Sequence, residues 1–208
     1  YRVPISHEIS LEGHSKGLPC LSVELTGNRV VTCSRDASLQ IFDFGGMDST
    51  HRSFRVLTPQ AGISINFVAH STSGDRFAVA SGNSQPLVYS RDGVELLKFC
   101  KGDMYIRDLS HTKGHTTETT CICWHPTLKD AVLSGSQDGT LRSWDLNSTL
   151  HFNMLQCKDV FKVKSAQGTF ARTGVFSCTY SFDGKLAVAG CADGSVHIWD
   201  VKLVTRAK

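Results

Sequence analysis

Five potential metal ligands crowd one short stretch of this chain, His111, His115, Cys121, Cys123 and His125. Imidazole nitrogens and thiolates are the donors that tetrahedral zinc takes. Their spacing, His-x3-His-x5-Cys-x-Cys-x-His, matches none of the paired patterns of a closed four-ligand site. Cys121-Ile122-Cys123-Trp124 also alternates as a strand does, so both thiols project from one side and both large apolar groups from the other. No Gly-x-Ser-x-Gly, phosphate-binding loop or dinucleotide fingerprint accompanies the cluster. The expectation is a chain with no metal, no cofactor, no small-molecule substrate and no catalytic residue.

What positions these residues is an internal repeat. Thr32-Cys33-Ser34-Arg35-Asp36-Ala37-Ser38-Leu39-Gln40-Ile41-Phe42-Asp43 aligns without gaps on Ser134-Gly135-Ser136-Gln137-Asp138-Gly139-Thr140-Leu141-Arg142-Ser143-Trp144-Asp145. Both align on Ala189-Gly190-Cys191-Ala192-Asp193-Gly194-Ser195-Val196-His197-Ile198-Trp199-Asp200. Each segment places an Asp six residues before an aromatic-Asp pair. Asp-Gly between two short alternating runs signals a hairpin, because glycine accepts the positive φ of a tight turn. Gly13-His14 and Gly114-His115 each open a further strand upstream. The gap between Asp36 and Asp138 leaves room for two repeats, so a degenerate one is expected between them. Val79 to Asp92 fills it, read with Gln85 in place of the turn Asp and Arg91 in place of the Trp.

This pattern resembles the WD repeat, the four-stranded blade of a β-propeller. The fold class expected is therefore all-β, about four blades of a seven-bladed ring. The repeats are set at about 12–55, 56–100, 101–150 and 175–208, with 1–11 as an outer closing strand and 147–174 as an insertion. In WD repeats the signature is structural: a Trp N–H, a Ser or Thr hydroxyl, a His and the turn Asp form a buried chain of hydrogen bonds. His115, Ser134, Asp138 and Trp144 supply all four. His14, Thr32 and Asp36 supply three, with Phe42 unable to donate, while Asp193 and Trp199 supply two beside Ala189. Blade three is expected to be the most rigid and blade two the least.

Composition adds bounds. Lys+Arg 22 against Asp+Glu 19 gives a net charge of +3, too small by itself to imply a polyanion-binding surface. Eight cysteines without short regular spacing, in a chain neither small nor loop-dominated, read as reduced thiols. No apolar run reaches the length of a membrane span. The expected insertion carries Lys158, Lys162, Lys164 and Arg172 beside Phe161. It reads either as a partner-binding loop, with direct nucleic-acid contact as a secondary possibility, or as a solvated loop.

The linkers narrow the resemblance. Val3 to Ile9, Phe42-Asp43-Phe44 with Met47-Asp48 and Phe54-Arg55, Arg91 to Glu95, Gly102 to Ile106 and Thr112 to Thr116 together resemble the WD-repeat-containing protein 70 family, the gastrulation-defective type. The likeness extends to Val160-Phe161-Lys162, Gln167-Gly168 and Cys178 to Ser181. It implies a nuclear, non-enzymatic scaffold with an extended charged N-terminal region and a seven-bladed propeller. Association with pre-mRNA splicing is implied, as is DNA-damage and chromatin regulation through a cullin-RING ubiquitin ligase. Asp193, Trp199, Asp200 and Lys202 approximate the motif by which receptors meet the ligase adaptor, although the motif favours Arg at the last place. The same residues also read as an ordinary blade end followed by a solvated lysine. Four blades do not close a ring, so the chain is read as part of one, with exposed edges expected to drive self-association.

Overall fold

A computed structural model describes residues 8–164 and 173–206. Among the described residues sixteen short strands form four sheets, and each sheet is one blade. Blade one is β1 (Cys20–Val23), β2 (Arg29–Cys33), β3 (Leu39–Asp43) and β4 (Arg55–Leu57). Blade two is β5 (Ile65–His70), β6 (Arg76–Ser81), β7 (Leu87–Ser90) and β8 (Glu95–Phe99). Blade three begins with β9 (Thr119–Trp124), β10 (Ala131–Ser136) and β11 (Thr140–Asp145). Two strands follow, β12 (Met154–Leu155) and β13 (Asp159–Lys162). Blade four holds β14 (Val175–Tyr180), β15 (Leu186–Cys191) and β16 (Val196–Asp200), with a short helix α1 (Val201–Arg206) behind it.

Side chains on successive strand residues point to opposite faces, so every interior blade must bury both. Val31, Cys33, Leu39 and Ile41 of blade one pack against Val68, Phe77, Val79 and Tyr89 of blade two. On the other face of blade two, Ala78, Ala80 and Val88 leave room for Ile122, Trp124 and Trp144 of blade three. Leu133, Leu141 and Phe161 then meet Ala187 and Ala189 of blade four. The second and third seams set alanines against large side chains, which lets the sheets pack closely. Gly139 makes its turn at φ 76°, where an added Cβ would also lie 2.9 Å from the Thr173 carbonyl oxygen.

Three expectations change in detail. The stretch expected as an insertion contains sheet: β13 is the outer strand of blade three, paired antiparallel with β11. β12 crosses back and pairs parallel with β8, making a fifth strand on blade two's outer edge. A covered edge satisfies backbone groups that would otherwise recruit another strand. Residues 1–7 of the expected closing strand lie outside the described residues, and 8–11 form no strand. Within blade four, no outer strand is present among the described residues.

The register of blade two also differs from the sequence alignment. The middle hairpins begin at Arg29↔Asp43, Arg76↔Ser90, Ala131↔Asp145 and Leu186↔Asp200. One step inward stand Phe42, Tyr89, Trp144 and Trp199. Tyr89, not Arg91, therefore holds the aromatic position, and Asn83, not Gln85, stands six residues before it. Arg91 has turned out of the strand to pair with Glu24 of blade one at 2.9 Å.

Leu155 is fully buried in the seam between blades two and three. Leu155→Ala should cost about 2 kcal/mol, at the low end for a buried leucine because a two-residue strand can relax around the void. Chemical denaturation of both proteins measures the difference. A change below a few tenths of a kcal/mol would mean that β12 does not staple the two blades.

Candidate functional site

Blade three assembles a continuous hydrogen-bonded chain from four elements. Trp144 on β11 donates its Nε1–H to Ser134 Oγ on β10 at 2.7 Å. Ser134 Oγ lies 2.7 Å from His115 Nε2, and His115 Nδ1 lies 3.2 Å from Asp138 Oδ2 in the β10–β11 turn. One proton arrangement satisfies every member: the serine O–H donates to Nε2, and Nδ1–H donates to the carboxylate. Asp138 further accepts from the backbone N–H groups of Thr116 (3.0 Å) and Thr140 (2.9 Å) and from the Thr140 hydroxyl (2.6 Å). Burial pushes the Asp138 carboxyl upward, but donors led by His115 outweigh it and hold the group well below the ordinary carboxylate range. Burial dominates for His115 and lowers its pKa, so the ring is neutral.

The other blades keep parts of this chain. In blade one His14 bridges Asp36 (3.2 Å) and Thr32 (2.9 Å), with no donor from Phe42. Blade two has a neutral version, in which Gln60 Oε1 accepts from Asn83 Nδ2 (3.2 Å) and Ser81 Oγ (3.3 Å). In blade four Asp193 accepts from the Ser195 N–H at 3.0 Å, and Trp199 stacks on His197 with centroids 5.6 Å apart. Across the hairpin Trp199 faces Ala187, and Ala189, which lacks a hydroxyl, stands where Ser134 stands in blade three. Phe42→Trp should stabilise blade one by about 1 kcal/mol, by giving Thr32 a donor equivalent to that of Trp144. A lower denaturation midpoint for this variant would show that the site has no room for the larger ring.

The cluster that suggested zinc is dispersed by the same framework. His115 is committed to Ser134 and Asp138. His125 Nε2 donates to the Gly184 carbonyl at 3.1 Å, while Nδ1 accepts from the Thr127 and Leu128 N–H groups. Cys121 lies in the blade three–four seam, and His111 is exposed beside Asp108. No group of three or more metal-ligating side chains converges among the described residues.

The basic residues separate as well. Phe161 is buried in the core as part of β13, so it offers no face for stacking. Lys158 sits 3.8 Å from Asp145, Lys162 pairs with Asp108, and Lys164 is exposed. Arg172 lies outside the described residues. At the end of blade four, Asp200 Oδ1 accepts from the N–H groups of Lys202 (2.8 Å) and Leu203 (3.4 Å), so its carboxylate caps α1. Trp199 also lies near Phe161, with ring centroids 5.9 Å apart.

Sequence reasoning missed Arg142. Fully buried on the face it shares with Trp144, it donates to the Leu109 (3.0 Å) and Thr112 (2.7 Å) carbonyls, and its Nη1 lies 3.1 Å from Cys157 Sγ. A charged residue at an inward strand position was the available signal. The two carbonyls it serves lie thirty or more residues upstream, beyond the reach of a local pattern.

The family model for the WD domain, G-beta repeat, matches residues 6–43, 107–145 and 163–200, more than half of the chain. It passes over the strands of blade two. The chain is 41% identical to WD repeat-containing protein 70 of Xenopus tropicalis over 206 residues, covering 99% of this chain and 32% of that protein. It is 38% identical to WD repeat-containing protein 70 of Homo sapiens over 208 residues, 100% of this chain and 31% of that protein. Gastrulation defective protein 1 homolog of Drosophila melanogaster is 40% identical over 202 residues, 97% of this chain and 30% of that protein. The chain thus spans about a third of the length of the curated relatives it matches. Repeats, hydrogen-bonded signature and four-bladed architecture agree with these similarities: the chain belongs to the WD domain, G-beta repeat family.

Proposed function

We propose that this chain is a non-enzymatic scaffold that binds other proteins within a nuclear assembly associated with pre-mRNA splicing. The observation that carries the reading is the use made of the reactive side chains. His115, Asp138, His14, Asp36 and His125 are all engaged in holding strands and turns together. What remains for recognition is the set of loops on a rigid β framework, where partners bind in such folds. The nuclear and splicing parts rest on the likeness of the linkers, which a generic propeller would not share.

Affinity purification of the tagged chain from nuclei, followed by mass spectrometry, tests this. Spliceosomal proteins without the ligase adaptor are expected. Recovery of the adaptor alone would replace the scaffold reading by a ligase receptor, and Lys202→Glu should then abolish that capture. Retention on RNA or DNA that is lost when Lys158, Lys162 and Lys164 are changed together to Glu would assign direct nucleic-acid binding instead.

A further inference from the structure

Cys20 and Cys33 face each other across the first hairpin of blade one. They are register partners in the antiparallel pairing of β1 with β2, so their side chains stand together on one face. Glu24 N–H donates to the Arg29 carbonyl at 2.9 Å. Hydrogen-bonded pairs recur at every second residue of such a ladder, which makes Ser22 with Val31 and Cys20 with Cys33 pairs of the same kind. Their Cα atoms then lie about 5.5 Å apart, inside the span of about 4.4–6.8 Å that a disulfide bridges. Both are free thiols, and Cys33 Sγ lies 3.2 Å from the Cys20 carbonyl oxygen.

The two sulfurs are not equivalent. Cys33 is fully buried beside Val31, Leu39 and Ile41, whereas Cys20 is only partly covered, on a four-residue strand at the edge of its sheet. The Cys33 S–H donates to the Cys20 sulfur, and this outweighs burial and brings the Cys20 thiol down to about 6. The same contact, together with burial, pushes Cys33 up. Since the thiolate is the nucleophile, Cys20 is the attacking sulfur and Cys33 the resolving one.

Other thiols in the chain lack this combination. Cys100 and Cys191 are pushed up by burial, and Cys178 is pushed up by the Cys121 and Cys123 thiols beside it. Contact with Cys178 lowers Cys121, but that side chain is 2% exposed, and a Cβ on Gly135 would lie 2.6 Å from its sulfur. An oxidant has to reach a thiolate to react with it. Cys20 joins a favoured thiolate to an open approach.

We propose that Cys20 and Cys33 form a peroxide-responsive pair that closes reversibly into a disulfide between β1 and β2. The Cys20 thiolate attacks one oxygen of hydrogen peroxide, the O–O bond breaks, and the second oxygen leaves as hydroxide, which takes up the proton that Cys20 released. Cys20 is now a sulfenic acid. With the negative charge gone, nothing holds the Cys33 proton, and the Cys33 sulfur displaces the sulfenic oxygen, which leaves with that proton as water. Two thiols have lost two electrons, and one peroxide has become two waters. Two low-molecular-weight thiols reverse the step by exchange and leave as their own disulfide. The bridge needs only a small shift of β1, which as a short edge strand can make it. This site goes beyond the scaffold reading and does not depend on it.

The test treats the reduced chain with one equivalent of hydrogen peroxide, blocks the remaining thiols with iodoacetamide and digests with trypsin. Cleavage after Lys16, Arg29 and Arg35 puts the two cysteines on separate peptides, 17–29 and 30–35. The expected product joins them, two hydrogens lighter than their sum, and dithiothreitol separates them again. Cys33→Ala should leave Cys20 as a sulfenic acid that dimedone captures. Without peroxide, the same variant should be alkylated at Cys20 about fivefold more slowly at pH 7 than the wild-type chain, because the donor that favours its thiolate is gone. Thermal melts show whether the variant is folded, and the wild-type digest gives its answer even if it is not.

The proposal falls if both peptides are recovered fully alkylated, or if the first bridge to appear joins other cysteines. It falls too if the wild-type chain accumulates sulfenic acid on Cys20 with no bridge, since Cys33 would then resolve nothing. Alkylation of Cys20 at an unchanged rate in a folded Cys33→Ala would overturn the activation of one sulfur by the other.

Discussion

Asp138→Ala should destabilise the chain by about 3–5 kcal/mol, because each buried donor left without an acceptor costs about 1–3 kcal/mol. The carboxylate is buried and serves His115, Thr116 and Thr140 at once. Alanine leaves two backbone N–H groups and an imidazole N–H without acceptors, and it loosens the β10–β11 turn. Trp124 and Trp144, both packed in this blade, report the event: the tryptophan fluorescence should shift to the exposed value at a lower urea concentration, with the β9–β11 amides exchanging faster. A loss below about 1 kcal/mol, the worth of a single ordinary hydrogen bond, would mean that the chain from Trp144 to Asp138 does not hold blade three together.

The same pair sets a pH dependence. His115 has a folded pKa below its unfolded one, so unfolding takes up a proton and stability falls as pH drops below about 6.5. Asp138, also depressed in the fold, adds stability that is complete above about 3.9 and is lost as pH falls further. Both act in one direction. The wild-type chain should therefore lose stability on acidification in two stages; His70, also lowered by burial, adds to the first, and Asp36 and Asp75, likewise depressed, add to the second, so Asp138→Ala should lessen the lower stage without removing it. Denaturation midpoints measured between pH 8 and 4 test the first stage. An unchanged midpoint across that range would overturn the assignment of a neutral His115.

Arg142→Ala should be nearly as damaging, at about 3 kcal/mol or more, because it combines a core void with stranded carbonyl groups. The guanidinium joins Leu109 and Thr112 of the β8–β9 loop to the third strand of blade three. Its loss should free the loop, giving proteolytic cleavage between Lys101 and Lys113 at protease levels that leave the wild-type chain intact. Arg142→Lys should rescue little, since an ammonium cannot reproduce the planar fork that serves several acceptors. If Arg142→Ala loses stability while the loop stays protected, Arg142 is a core residue and does not hold the loop in place.

The strand-turn-strand units were legible in the residues because two short-range rules fix them. Asp138-Gly139 and Asp193-Gly194 mark turns, and alternation in stretches such as Cys121 to Trp124 marks strands with two buried faces. The four-member chain from His115 to Trp144 was legible for the same reason, since a repeat displays its own register. Blade two was read two residues out of step. Without the Asp and Trp landmarks, only the pairing of Phe77 with Tyr89 and the swing of Arg91 to Glu24 reveal the register.

The sequence by itself determined the number of repeats, the class of fold and the residues of blade three's hydrogen-bonded chain, because each is encoded over a hairpin or two. Tertiary structure alone decided where the long connection after Asp145 goes, that Phe161 is core rather than loop, and that Arg142 reaches under the loop carrying Tyr105. Those outcomes depend on which buried face a segment can cover and on which distant backbone carbonyls need a donor. Local pattern carries neither quantity, because both arise only when separate blades are packed together.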